Sequence, residues 1–404
     1  MTTGFRFHLP VYSPLTARAL ADAGRGVVRG ADARPALRAS LRERYAADEV
    51  VLCGSGTGAL QLAIGHALAL AGGPPVVALP GFGCYDLATA ALGSGARIAL
   101  YDVDPATLAP DLRSLERVLR SGVRTVVAAP LYGIPVDWDA LEALLAEHGA
   151  TAIEDAAQGH GATWRGKPLG ALGRMSVLSF GRGKGWCGVH GGALLLRGVP
   201  APAEPSGASP RAEASVLAGG LAQLVLGRPA VYRIPRSLPL GLGETRFRAP
   251  SPCAPMTRAA ATLASLLEEA SDCEAGERAA NARFFQERLR FGAGVQPVAL
   301  PSKGSAGFLR FPLRMVHGIA GFSRSPASLG VAAAYPTTLA ALPQVRSRLA
   351  NQHERLPGSE ELARQLVTLP THSQLTPAER DRLVERVNRP AGATLARPVL
   401  SRPA

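Results

Sequence analysis

Lysine occurs three times in 404 residues, at Lys167, Lys184 and Lys303, so chemistry that needs a primary amine has three candidates. Lys167 lies in Trp164-Arg165-Gly166-Lys167-Pro168 and Lys303 in Pro301-Ser302-Lys303-Gly304, both of which read as polar surface turns. Lys184 sits in Ser179-Phe180-Gly181-Arg182-Gly183-Lys184-Gly185, a glycine-rich loop after a strand-like run. A lysine confined in a partly buried site can have its pKa lowered, which leaves the free amine that a Schiff base requires. Two further segments carry chemistry of their own. Gly54-Ser55-Gly56-Thr57-Gly58 falls between an apolar run and a helical pattern. Such a turn presents free backbone N–H groups at the positive end of a helix, which suits a phosphate. No lysine follows as in GxxxxGK[ST], so a nucleotide triphosphatase is not indicated. Taken alone, the turn also suits plain strand–helix packing. Ile153-Glu154-Asp155-Ala156-Ala157-Gln158 ends another strand-like run. There an aspartate can pair with a protonated ring nitrogen, or Glu154 or Asp155 can cap the next turn.

The elements that position these residues alternate. Strand-like runs are Val50–Leu52, Val76–Leu79, Arg97–Tyr101, Thr125–Ala129, Thr151–Glu154, Met175–Phe180 and Ala193–Leu196. Helical patterns between them cover Thr57–Ala71, Tyr85–Leu92, Leu112–Arg120 and Asp137–His148. This order predicts an α/β fold with a mostly parallel central sheet flanked by helices. In such sheets ligands bind beyond the carboxyl ends of the strands, where all three segments fall. Residues 1–15 read as an extended arm, Ser13-Pro14 as a helix start, and Arg34–Ala47 as a helix. Residues 199–211 read as a loop and 234–256 as irregular. Leu263–Arg290 reads as helical, Phe308–Met315 as a strand, and Thr376-Pro377-Ala378-Glu379 as a capping box opening the last helix. The expected organisation is an arm with helices (1–48), a large α/β domain (49–256) and a smaller α+β C-terminal domain (257–404).

Cup, aspartate and lysine together fit one cofactor. Pyridoxal 5'-phosphate needs a phosphate site, a carboxylate on its pyridinium nitrogen and a Schiff-base lysine. The chain also resembles the fold-type-I enzymes of the DegT/StrS-type sugar aminotransferase family. The resemblance rests on Ser55–Leu60, Asp102-Val103-Asp104-Pro105, Glu154–Ala162, Leu169–Gly173 and Ser179-Phe180 through Lys184 to Gly191-Gly192. More weakly, it extends through Leu369-Pro370-Thr371-His372.

The resemblance implies that Lys184 forms the Schiff base and then shuttles a proton. It implies that Asp155 keeps the pyridinium nitrogen protonated, that Gln158 bonds the ring's phenolic oxygen, and that Gly56, Thr57 and Ser179 bind the phosphate. In the family an aromatic residue stacks on the ring. The matching position here is Cys84, with Tyr85 beside it, and Tyr85 is the expected ring-face residue. Implied too are a nucleotide-linked keto-sugar, an amino-acid donor (glutamate) and a homodimer. Family members with histidine in place of the lysine are lyases, so Lys184 favours transamination. A lyase, an aminotransferase for a non-sugar carbonyl and a non-catalytic relative are the alternatives. His190 stands where the family often has an acid, and is read as structural or substrate-facing. His160 is read as packed. The asparagine that reaches the phosphate from a neighbouring subunit has no clear match in Gly241–Met256.

Composition bounds the remaining classes. Hydrophobic residues make up 47% and charged residues 19%, which is globular. Lys plus Arg total 44 against 31 acids, a net charge of +13. Residues 301–350 hold six basic residues and no acid, so the surplus is partly local. A patch near an anionic substrate is one reading and a generally basic surface the other; nucleic acid is not expected. The five cysteines form no CxxC pair, which fits a reducing cytoplasm rather than a disulfide framework or a metal site. The N-terminus lacks an apolar signal segment. The longest apolar run, Ala214–Gly227, suits a buried helix, with a helix at the membrane surface as the weaker reading.

Overall fold

A computed structural model of the chain describes residues 7–207, 209–229, 231, 246–292, 294–322 and 326–389. The first half builds a seven-stranded sheet from β1 (Glu49–Cys53), β2 (Val76–Pro80), β3 (Arg97–Tyr101), β4 (Thr125–Ala128), β5 (Thr151–Asp155), β8 (Met175–Ser179) and β9 (Gly192–Leu196). The two-residue strands β6 (Thr163–Trp164) and β7 (Lys167–Pro168) form a separate small hairpin. The order across the large sheet is β1-β9-β8-β5-β4-β2-β3. Strands β2, β3, β4, β5 and β8 run parallel, and β9 runs antiparallel to both β1 and β8.

The strands are mostly apolar because both faces are covered. Val50 and Leu52 join one core with Ala78, Val126 and Leu195. That core is closed by helices α1 (Ala17–Val28), α2 (Arg34–Tyr45), α5 (Leu112–Arg120) and α6 (Trp138–Glu147). Val51 and Cys53 face the other way, toward α3 (Gly56–Ala71) and α4 (Tyr85–Gly93). The alternation along each strand thus divides its side chains between two helical layers. In α5, Leu115, Val118 and Leu119 recur at helical spacing and are buried, while the Asp111 carboxylate caps the first turn.

The C-terminal part adds an antiparallel sheet in the order β10-β12-β14-β13, from β10 (Val295–Pro297), β12 (Phe311–Met315), β13 (Ala332–Ala333) and β14 (Leu366–Leu369). Strand β11 (Gly304–Ser305) pairs instead with β6 of the first half. Phe285, Phe311, Leu313, Leu362, Val367 and Leu383 form a third core there. It involves three helices, α9 (Glu268–Arg288), α10 (Pro357–Gln365) and α11 (Pro377–Asn388). The capping box is present: Thr376 and Glu379 each bond the other's backbone amide.

Several boundaries differ from the sequence reading. The first helix starts at Ala17 rather than at Ser13-Pro14, because the Thr16 side chain caps it and accepts from the Ala19 amide. The stretch Leu263–Arg290 is not one helix. It breaks at buried Leu267 (φ −105°, ψ 8°), which separates α8 (Arg258–Leu266) from α9. Phe308 cannot open a strand, since its φ is 43°, and β12 begins at Phe311. The apolar run forms α7 (Pro210–Leu226), but it is only half buried: Leu221 and Val225 are exposed. Residues 1–6 of the arm and 234–245 of the irregular stretch lie outside the described residues. No helix among the described residues is long and apolar enough to cross a membrane.

Candidate active site

A cleft partly open to solvent lies beyond the carboxyl ends of the strands. Gly56, Thr57, Asp155, Gln158, Ser179 and Lys184 all line it, two from each of the three segments predicted to carry chemistry. Leu60, Leu87 and Leu131 supply apolar wall.

The phosphate end of the cleft is the start of α3. Ser55 caps the helix by accepting from the Gly58 amide at 3.0 Å. The Gly56 and Thr57 amides fall in the first turn, where no intrahelical acceptor exists. Glycine at 56 has a steric cause. A Cβ there would stand 2.6 Å from Ser179 Cβ, so only glycine lets the helix start against the end of β8. Gly192 is likewise needed, since its Cβ would stand 2.5 Å from the Gly56 amide nitrogen.

Two adjacent carboxylates on β5 have separate roles. Glu154 is fully buried and accepts from the amides of Gly170 (2.6 Å), Leu172 (3.0 Å) and Gly173 (3.2 Å) and from Ser176 Oγ (2.8 Å). It therefore anchors the turn at 169–173. Asp155 faces the cleft instead, and one of its oxygens accepts from the Ala157 amide at 3.1 Å. Burial raises the Asp155 pKa, and the nearby Lys184 ammonium pulls it back. A buried carboxylate opposite a lysine is suited to holding a second cation, such as a protonated ring nitrogen.

Gln158 is fixed at both ends. Its Oε1 accepts from the Tyr132 amide at 2.9 Å, and its Nε2 donates to the Tyr335 hydroxyl at 3.0 Å. The amide group carries two protons, so one remains for a ligand oxygen. No spacing in the sequence announces Tyr335, which lies 177 positions away.

Tyr85 does not face the cleft. Its hydroxyl bonds Thr337 Oγ1 at 2.6 Å and accepts from the Thr337 amide, and its ring tilts against Tyr335. Cys84, the helix-capping residue before it, lines the cleft in its place. Consecutive residues at a strand–helix junction point apart, so an aromatic at 85 cannot also cover a ligand reached from 84. Burial pushes the Cys84 thiol up to about 11.

His160 is packed, as expected: its ring lies 5.6 Å from that of Trp186 and pairs with Asp272 at 3.2 Å. His190 is half-buried near Arg182 and Arg248, and burial lowers its pKa, helped by both arginines. Among the described residues, the basic side chains of 301–350 stand in separate surroundings. Lys303 bonds Asp139 and Arg314 bonds Glu361, while Arg346 and Arg348 are exposed to water.

The sheet order and the antiparallel second sheet define a fold shared with solved structures. AtS13 from Actinomadura melliaura superposes with a TM-score of 0.74 at 23% identity, covering 95% of this chain and 99% of that one. The chain belongs to the DegT/DnrJ/EryC1/StrS aminotransferase family, whose model matches residues 18–198 and 256–388. Among named relatives, an L-glutamine:2-deoxy-scyllo-inosose aminotransferase of Streptomyces lividus is 36% identical over 143 residues, 35% of this chain and 33% of that protein. A UDP-2-acetamido-2-deoxy-3-oxo-D-glucuronate aminotransferase of Pseudomonas aeruginosa is 33% identical over 156 residues, 38% of this chain and 43% of that protein. The matched stretches thus span a third to two-fifths of these relatives' length.

Proposed function

We propose that the chain is a pyridoxal-phosphate-dependent aminotransferase that moves an amino group from glutamate to the ketone of a nucleotide-linked sugar. The observation that supports this most is the meeting of Lys184, Asp155 and Gln158 with the first turn of α3 in one cleft. The residues fit the cofactor by their chemistry: free amides for a phosphate, a buried carboxylate for a ring nitrogen, and the single cleft-facing lysine among three.

Bound there, pyridoxal phosphate supplies an electrophilic carbon for an amine and a ring that spreads the charge left when a proton departs. The protein's own groups do the rest. The Gly56 and Thr57 amides and the Thr57 and Ser179 hydroxyls take the phosphate oxygens. Asp155 keeps a proton on the ring nitrogen, since its carboxylate has no other cation in the cleft but Lys184. Gln158 Nε2 donates its remaining proton to the ring's oxygen. The Lys184 amine takes a proton from the donor's α-carbon and returns it across the site. Leu60, Leu87 and Leu131 keep that exchange from water. The working form in this reading is a cytoplasmic homodimer.

A second reading keeps the reaction and changes both partners. Relatives named for glutamine and inosose favour the ketone of a free cyclitol, with glutamine as donor. Both readings meet one test. Loaded protein is incubated with glutamate or glutamine against nucleotide-linked keto-sugars and scyllo-inososes, and the amine product is identified by mass. An amine from one ring ketone decides between them. Protein that binds the cofactor yet forms no amine from any of these ketones would overturn both.

A further inference from the structure

Two of the five cysteines meet beside the phosphate end of the cleft. Cys53 ends β1, is fully buried, and stands directly before the Gly54–Gly58 turn. Cys253 comes from a much later segment that lies along the same turn. Cys53 bridges Pro255 in antiparallel fashion, and the Gly54 amide donates to the Ala254 carbonyl at 2.7 Å. Residues two apart on an extended segment point the same way, so Cys253 shares the side of Cys53 as its diagonal neighbour. The two thiols are free and hydrogen-bonded to each other. Their surroundings differ. Cys53 packs in the core with Val51, Ala59 and Leu60, and the bond to Cys253, then burial, raises its pKa. Cys253 is partly open to solvent, and the same bond lowers its pKa against the effect of burial. An accessible, low-pKa thiol beside a second, resolving thiol is the arrangement that peroxide-sensitive sites use.

The turn beside the pair has no slack. A Cβ on Gly54 would stand 3.2 Å from the Pro255 carbonyl oxygen, and one on Gly58 would stand 3.1 Å from Cys253 Sγ. On its other side the Gly191 amide donates to the Gly54 carbonyl at 3.1 Å, and Ser55 bridges Gly191. The turn is therefore held between Gly191 and residues 253–255. Gly56 and Thr57, which line the cleft, belong to it. A disulfide brings two Cβ atoms to about 3.8 Å, closer than diagonal neighbours usually stand. Closing one here must draw residues 253–255 toward β1 and shift the turn with them.

We propose that Cys53 and Cys253 are a redox-modification site, closed to a disulfide by hydrogen peroxide and reopened by thiols, whose closure loosens the phosphate end of the cleft. The effect on the cofactor rests on the aminotransferase reading above; the modification itself does not. The Cys253 sulfur attacks one peroxide oxygen and the O–O bond breaks. The other oxygen leaves as water with the Cys253 proton, and a sulfenic acid remains. The Cys53 sulfur then attacks the Cys253 sulfur, and the sulfenic oxygen leaves as a second water with the Cys53 proton. Two thiols are oxidised and one peroxide is reduced. An external dithiol returns both cysteines by exchange.

The test treats the reduced full chain with hydrogen peroxide and then removes the peroxide. Non-reducing peptide mapping is set beside fluorescence titration with pyridoxal phosphate and hydrogen exchange at the Gly56, Thr57, Gly58 and Ala59 amides. The expected result is a Cys53–Cys253 cross-link lighter by two hydrogens, faster exchange at those amides, and cofactor binding weakened about 10-fold or more. Dithiothreitol should reverse all three. Cys253→Ser should bind the cofactor as the reduced wild type does and ignore peroxide, although it keeps Cys84 in the cleft. No cross-link, an over-oxidised Cys253 without one, or a cross-link that leaves affinity unchanged would overturn the proposal. An equal loss of affinity in peroxide-treated Cys253→Ser would assign the effect to another thiol and overturn it too. A reduced protein that takes up no pyridoxal phosphate would remove the functional reading alone. The pair is then decided by the cross-link and by exchange: both present uphold it, and the absence of either contradicts it.

Discussion

At the residue scale, the cleft depends on side chains whose environments differ sharply over one or two positions. Glu154 and Asp155 are neighbours, yet one anchors a turn with four hydrogen bonds and the other faces the cleft. Burial raises the Asp155 pKa. A carboxyl whose folded pKa is raised favours the fold below its unfolded pKa and loses that stability as pH rises through the folded value. Asp155→Asn should therefore gain thermal stability relative to the cofactor-free wild type as pH rises from about 4 to 7. The same variant should lose most transaminase activity; melting curves across pH, with and without cofactor, check the pair of effects. A Tyr85→Phe variant should cost about 1 kcal/mol, the value of its hydrogen bonds to Thr337, and leave cofactor affinity unchanged. Lys184, Asp155 and Gln158 were legible in the sequence because their neighbours form recognisable strings. Residue type alone points to Tyr85 as the ring-face residue, whereas the structure sets Cys84 in the cleft lining and bonds the Tyr85 hydroxyl to Thr337. Tyr335 is not legible as a partner of Gln158, since it lies 177 positions further along the chain.

At the element scale, the site is a set of strand ends, and it is as well placed as the sheet is regular. Short apolar runs and helical patterns mark the large sheet and its helices to within a residue or two, because burial on both faces leaves little choice of register. Local signals competed elsewhere. Ser13-Pro14 looks like a helix start, but Thr16 caps the real one. The break at Leu267 carries no glycine or proline to mark it. The start of α3 packs closely against the end of β8. Gly56→Ala would drive a methyl to within 2.6 Å of Ser179 Cβ, so the helix must shift. The expected outcome is at least 10-fold weaker binding of pyridoxal phosphate, since amides aimed at an anion tolerate little displacement, together with a loss of roughly 1–3 kcal/mol in stability. Fluorescence titration of the cofactor and chemical denaturation measure these separately.

At the scale of the whole molecule, the net charge is +13, and the described basic residues of the acid-free segment 301–350 stand in separate surroundings. The exposed Leu221 and Val225 on α7 suit the proposed homodimer. If the dimer covers them, Leu221→Glu with Val225→Glu should shift the mass measured by light scattering toward the monomer, while the secondary structure stays intact. A dimer unaffected by both changes would place its contact elsewhere. The central claim, that Lys184 carries the cofactor covalently, has a direct measurement because the chain has three lysines only. Protein loaded with pyridoxal phosphate is reduced with borohydride, digested and mapped by mass spectrometry. The account predicts the reduced pyridoxyl group on Lys184, with Lys167 and Lys303 unlabelled and no label in Lys184→Ala. A label on Lys167 or Lys303, or none at all, would contradict it.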